Sequence, residues 1–252
     1  RFKEVVDITN NLVFDQQEAL TQLQRHLVWS DRLPPIEPAL RAYLKHSWDW
    51  NYRGLAHRDL NNNKEAVTAF LNATALNPLL DQSYSNMGIA YFNLTRVSDS
   101  LASMDKAIEI NPHTANAWNN KGIILSNIGR HEDAIHALDT SIRLYSGQAN
   151  AHLNKARLCI EMNAPADAIA LLERALEIDP QFCIAWCCLG DVKGMLGQIE
   201  AAKSCYKKAI ELYPYFAEAR VSLGILYQQD VMPMEQVVSV METALDLSQS
   251  RI

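Results

Sequence analysis

A block of 34 residues recurs along this chain without insertion, and that period decides what the chain can become. A unit of this length can form one supersecondary motif but cannot bury its own apolar face, so successive units must stack. From Ser47 the register runs 47–80, 81–114, 115–148, 149–182, 183–216 and 217–250. The unit from Cys183 to Phe216 shows it most fully, with Trp186 in the fourth place, Gly190 in the eighth, Ala202 in the twentieth and Pro214 in the thirty-second. The eighth place is small throughout, from Gly54, Gly88 and Gly122 to Ala156, Gly190 and Gly224. A small residue there lets two helices approach closely. The fourth place is mostly a large ring, Trp50, Tyr84, Trp118, His152 and Trp186, and ends on Arg220. Prolines 78, 112, 180 and 214 end the second helix of their units and turn the chain into the next.

Each unit therefore reads helix, short turn, helix, with Gly129 and Gly197 in the fifteenth place marking turns. Residues 1–46 stand outside the register. Phe2, Val5 and Leu12 predict one amphipathic helix, and Ala19, Leu20, Leu23 and Leu27 a second. Pro34 and Pro35 break the chain, and Pro38 suits the first turn of a third helix. This segment reads as a degenerate repeat or a cap over the first unit, or as an arm that folds back into the array. The sixth unit, with Arg220, Gln236 and a Met232-Pro233-Met234 turn, departs most from the pattern and reads as a worn terminal unit or one awaiting a further capping helix.

The residue types and spacing resemble the tetratricopeptide repeat family, over 204 of the 252 residues. The resemblance implies an all-α, right-handed α-solenoid of antiparallel helix pairs. It also implies a job, the binding of another protein or peptide in a concave groove lined by the first helix of each unit. Places two, five, six, nine, twelve and thirteen would face that groove. Units two to four then carry a ladder of amides: Asn86, Asn93, Asn116, Asn119, Asn120, Asn127, Asn150 and Asn154. A side-chain amide can donate to a backbone carbonyl and accept from a backbone N–H, so a row of them can hold an extended segment whatever its side chains. Asparagine is a poor helix former, and a surface needing only polarity is more simply made from Glu, Lys or Gln. The ladder is similar to the inner surface of the O-GlcNAc transferase superhelix and suits peptide-binding members such as peroxisomal import receptors.

Beyond the ladder the same places turn apolar: Ile184, Cys187, Cys188, Val221 and Ile225. An apolar patch of this kind marks a contact, with a partner helix or with a terminal cap. Arg157 is the basic groove residue near the ladder. The family's chaperone-binding members clamp a C-terminal carboxylate with a fifth-place lysine, and no unit here has one, so a chaperone tail is not the expected partner.

Composition narrows the partners further. The formal charge of −6 is spread over the repeats, since residues 1–46 hold six Lys/Arg and six Asp/Glu. A mildly acidic body offers no footprint for nucleic acid, and no apolar run approaches the roughly 18 residues a membrane span needs. Five cysteines clustered in the second half do not make a disulfide framework and fit a reducing, cytoplasmic setting. The chain opens on Arg1, which leaves a removed leader open.

Catalytic patterns fail on spacing. His131 and His136 bracket Glu132 as in a zinc-protease motif, but five residues apart they stand about 140° apart on a helix, where four would align them. Cys183, Cys187 and Cys188 have no fourth ligand at metal spacing. No Gly-rich phosphate loop and no nucleophile-base pair can be assembled, so neither cofactor nor metal is expected. The reading is a non-catalytic interaction module. The alternatives are the substrate-docking arm of a larger enzyme, such as a glycosyltransferase, and a self-assembling scaffold.

Overall fold

The computed structural model describes residues 38–229, with side chains placed for 45–227. Every element among them is a helix: α1 (Pro38–Asp59), α2 (Asn63–Leu76), α3 (Asp81–Asn93), α4 (Val97–Ile110), α5 (Ala115–Asn127), α6 (His131–Leu144), α7 (Ala149–Glu161), α8 (Pro165–Ile178), α9 (Cys183–Met195), α10 (Ile199–Leu212) and α11 (Ala217–Gln229). Helices α3 to α10 form four hairpins, one per repeat from the second to the fifth. The boundary drawn at 46/47 falls inside α1, which runs unbroken from Pro38 through the first helix of the first repeat. The expected helices before Pro34 and the second helix of the sixth repeat lie outside the described residues.

The turns show why the period holds. In every described hairpin the fifteenth-place residue lies in the left-handed region: Asn61, Thr95, Gly129, Asn163 and Gly197, with φ between 59° and 77°. This residue lets the chain reverse after the first helix. The N–H of Arg96 then reaches back to Tyr91 O at 2.9 Å, and that of Gln198 to Lys193 O at 2.9 Å, satisfying carbonyls that the helix end leaves open. Glycine and asparagine accept this conformation readily. Thr95, β-branched, does not.

Close helix approach within a hairpin comes from a fixed pair, the eighth place against the twenty-fourth. A Cβ added at Gly54 would stand 2.4 Å from Phe70 Cε1, one at Gly122 2.6 Å from Leu138 Cγ, and one at Gly190 2.6 Å from Tyr206 Cε1. In the fourth repeat the same pair is Ala156 and Leu172, both fully buried.

The fourth place does more than fill space. Trp118 Nε1 donates to Pro112 O at 3.1 Å, Trp186 Nε1 to Pro180 O at 3.0 Å, and Arg220 Nε to Pro214 O at 2.8 Å. His152 Nε2 lies 3.3 Å from Ser146 O in the same position. Each ties the start of a first helix to the loop that precedes it, six residues back. Arg220 keeps this bond without a ring, and His152 with a smaller one.

Contacts divide the chain into two compact bodies, 1–110 and 111–252, with the border at the end of α4, ahead of the last four residues of the second repeat. In the first, α2 packs against α1 and α3, around Val67, Phe70 and Met87. In the second, each helix from α5 to α11 packs against the next, and the first helices α5, α7, α9 and α11 also touch in sequence. Its core is a chain of local clusters. One joins Leu153, Leu172, Leu189 and Val192, and the next joins Cys187, Tyr206, Leu223 and Leu226. Each fully buried Leu contributes roughly 1.5–3 kcal/mol.

Candidate functional site

Most amides of the ladder are engaged within the protein, several of them with other asparagines. In the first body Asn86 Nδ2 lies 3.4 Å from Asn51 Oδ1, and Asn86 Oδ1 accepts from Arg58 Nη1 at 3.2 Å. Asn51 is 1% exposed and also accepts from Ser83 Oγ at 2.9 Å. Asn93 Nδ2 donates to Asn63 Oδ1 at 3.0 Å, which joins the end of α3 to the start of α2.

The second body repeats the pattern two periods on. Asn154 Nδ2 donates to Asn119 Oδ1 at 3.0 Å, and Asn119 Nδ2 lies 3.5 Å from Asn120 Oδ1. Both pairs, Asn51 with Asn86 and Asn119 with Asn154, join the fifth place of one repeat to the sixth place of the next. Asn116 Oδ1 accepts from Gln148 Nε2 at 2.8 Å, and Asn127 Nδ2 folds back onto Ile123 O at 2.8 Å. Asn150 is exposed and makes no hydrogen bond to a described residue. Asn119 was expected on the groove surface. It is 6% exposed, so it cannot reach a ligand and instead orients Asn154 and Asn120. An amide has two donor hydrogens and two acceptor lone pairs. Asn154, half-buried, therefore retains capacity beyond its bond to Asn119.

Where the amides end, α7, α9 and α11 enclose an open cleft of about 320 Å³. Helix α7 supplies Arg157, Ile160 and Glu161. Helix α9 supplies Ile184, Cys187, Cys188 and Asp191, and α11 supplies Glu218. Each of these occupies one of the six places expected to face the groove, taken from three successive first helices. The structure brings Arg157, grouped with the ladder in the sequence, beside Ile184, Cys187 and Cys188. Two differ in exposure. Cys187 is 4% exposed and Cys188 9%, so the thiols belong to the core clusters and form only the floor. Ile184, Val221 and Ile225 remain exposed, the last two on α11 outside the cleft.

The carboxylates were not singled out from the sequence. Glu161 Oε2 accepts from Ser126 Oγ at 2.7 Å, and Asp191 Oδ1 accepts from the buried Tyr206 hydroxyl at 2.8 Å. Surrounding protein raises the Asp191 carboxyl above its ordinary range, against the Tyr206 hydrogen bond, which lowers it. Burial also raises the Tyr206 hydroxyl and the thiols of Cys187 and Cys188, with Arg157 opposing at Cys188. Thiols so held stay protonated at neutral pH and are poor nucleophiles. Among the described residues no three His, Cys, Asp or Glu stand close enough to hold a metal ion, and no helix is long and apolar enough to cross a membrane.

An all-α helical repeat solenoid, with its polar and acidic first-helix surface, is the architecture of a protein-interaction module. Tetratricopeptide repeat models match residues 51–113, 113–181 and 171–204, and the chain belongs to the tetratricopeptide repeat family. Among solved structures, Pseudomonas aeruginosa PilF is similar at 16% identity and a TM-score of 0.67, over 83% of this chain and 91% of its own. Cut9, in the APC/C hetero-tetramer Cut9–Hcn1, is similar at 14% identity and a TM-score of 0.70, over 83% of this chain and 44% of its own. YrrB, described as a TPR protein with an unusual peptide-binding site, is similar at 21% identity and a TM-score of 0.52, over 71% of this chain and 92% of its own. No curated protein sequence matches significantly.

Proposed function

We propose that this chain is a non-catalytic adaptor that holds an extended segment of a partner protein along its first-helix face. The carrying observation is the cleft. Arg157, Ile184 and Asp191 come from two different repeats, yet line one open depression together with Glu218 of a third. A surface that serves only solubility has no need of an apolar floor ringed by charge. The exposed amide of Asn150 and the remaining capacity of Asn154 would meet the segment's backbone. Each such bond contributes about 0.5–1.5 kcal/mol net, so several must act together. The likeness to YrrB, a peptide-binding TPR protein by its description, supports the same class of ligand.

The test is affinity capture from lysate of the source cell, comparing the parent chain with an Ile184→Arg, Asn150→Ala variant of equal helicity. Both positions are exposed, so folding is expected to survive. A partner held by the parent and lost by the variant supports the reading. A partner held equally by both places the contact elsewhere and contradicts it.

A further inference from the structure

Resting on the reading of this face as a protein-binding surface, we propose that the cleft between α7, α9 and α11 receives a basic side chain of the bound segment, an arginine or lysine flanked by an apolar residue. The lining is one cation, Arg157, against three carboxylates, Glu161, Asp191 and Glu218. None of the three makes an ion pair with a described residue, although i,i+3 pairs recur on the second helices, as between Arg174 and Glu177 at 2.7 Å. The excess negative charge is therefore left facing the cleft.

Asp191 is positioned as well as charged. The Tyr206 hydroxyl holds its Oδ1 at 2.8 Å, and Tyr206 is itself 4% exposed and anchored in the core. The carboxylate thus keeps its other oxygen for an incoming donor. Beneath it, Ile184 and the buried thiols of Cys187 and Cys188 offer an apolar floor. Arginine and lysine match both features, with an aliphatic stem for the floor and a charged head for the rim. The planar guanidinium of arginine matches carboxylates in two-point contact and is the better fit. An acidic segment would meet three like charges. A purely apolar one would strip water from carboxylates without replacing it. Arg157, on α7, repels the incoming cation and directs it toward Asp191 and Glu218.

A display library of random dodecapeptides, selected on the full chain, tests this. The expected binders are enriched in arginine or lysine beside Leu, Ile, Val or Met. A synthetic binder should weaken about five- to twentyfold when its basic residue becomes glutamine, each exposed ion pair supplying at most about fivefold. Asp191→Asn with Glu218→Gln should cause a similar loss, and the affinity should fall with rising salt. Arg157→Gln should instead tighten the same peptide, a gain that misfolding cannot imitate.

Binders that Ile184→Arg abolishes, but that show no basic preference and no response to the Asp191 and Glu218 changes, would overturn the inference and leave the binding face standing. Binders indifferent to Ile184→Arg, or no binders at all, would count against both.

Discussion

Helix α7 meets its two neighbours through the same register positions, with opposite chemistry. Toward α5, the sixth-place Asn154 bonds to the fifth-place Asn119 across the joint. Toward α9, the fifth-place Leu153 and the sixth-place Cys188 belong to one buried apolar cluster. A buried amide is satisfied at one alignment only, because sliding it leaves a donor or acceptor without a partner. An apolar pair tolerates small shifts and gains from area alone. The first joint fixes how successive first helices align and spends its polar groups there. The second leaves its surface polarity to residues further along the helix, Arg157, Glu161 and Asp191, which face the cleft. The charged cleft lies where the helices no longer use side-chain amides to hold them.

The sharpest way to break this comparison is to move the amide into the apolar joint. Leu153→Asn removes buried packing and leaves an unsatisfied amide, and should cost roughly 3–5 kcal/mol in urea unfolding. A cost below about 1 kcal/mol would show that the two joints are interchangeable. Next in size is Asn154→Ala, which strips the donor from the buried Asn119 oxygen and should cost about 1–2 kcal/mol. Importing the neighbouring joint's solution, Asn119→Leu with Asn154→Cys, should recover most of that loss, since removing both polar partners is far milder than orphaning one. A double-mutant cycle reads the coupling directly.

Acid should act on the start of α7. Burial holds the His152 imidazole below its ordinary value of 6.5, and its Nδ1 is buried without a partner. The unfolded chain therefore takes up this proton before the folded one does. The stability tied to neutral His152 is present above about pH 6.5 and is lost as pH falls toward the lowered folded value. His152→Trp, which restores the ring of the other repeats and keeps the N–H, should remove this part of the pH dependence in unfolding curves. The smallest expected effect is a control in the other body. Thr95→Gly relieves a β-branched residue at φ 60° and should add up to about 1 kcal/mol. It should leave hydrogen exchange in α7 and α9 unchanged.

Helices, turns and hairpin pairing were legible in the sequence because they depend on single positions, such as the eighth-place glycines and the fifteenth-place turn residues. The groove places were legible too, since every residue lining the cleft falls on one. What could not be read was the state of each side chain. The asparagine column gives no sign that Asn119 is buried while Asn150 is free, because that depends on what the neighbouring repeat sets opposite. The fourth-place N–H was hidden by reading tryptophan as a ring, although from the third repeat to the sixth Trp118, His152, Trp186 and Arg220 all carry a nitrogen there. The acidic rim was spread over three columns, with Glu161 in the thirteenth place, Asp191 in the ninth and Glu218 in the second, so no single column pointed to the cleft.

The central claim is that the partner lies on the first-helix face, and a photo-cross-linking amino acid tests it most directly. Placed one at a time at Ile184, Asn150 and Val221 on first helices, and at Glu173 and Ser204 on second helices, it samples exposed positions on both surfaces. The account predicts one shared adduct from the first-helix positions and none from Glu173 or Ser204. That adduct arising from Glu173 and Ser204, with the first-helix positions silent, would contradict it.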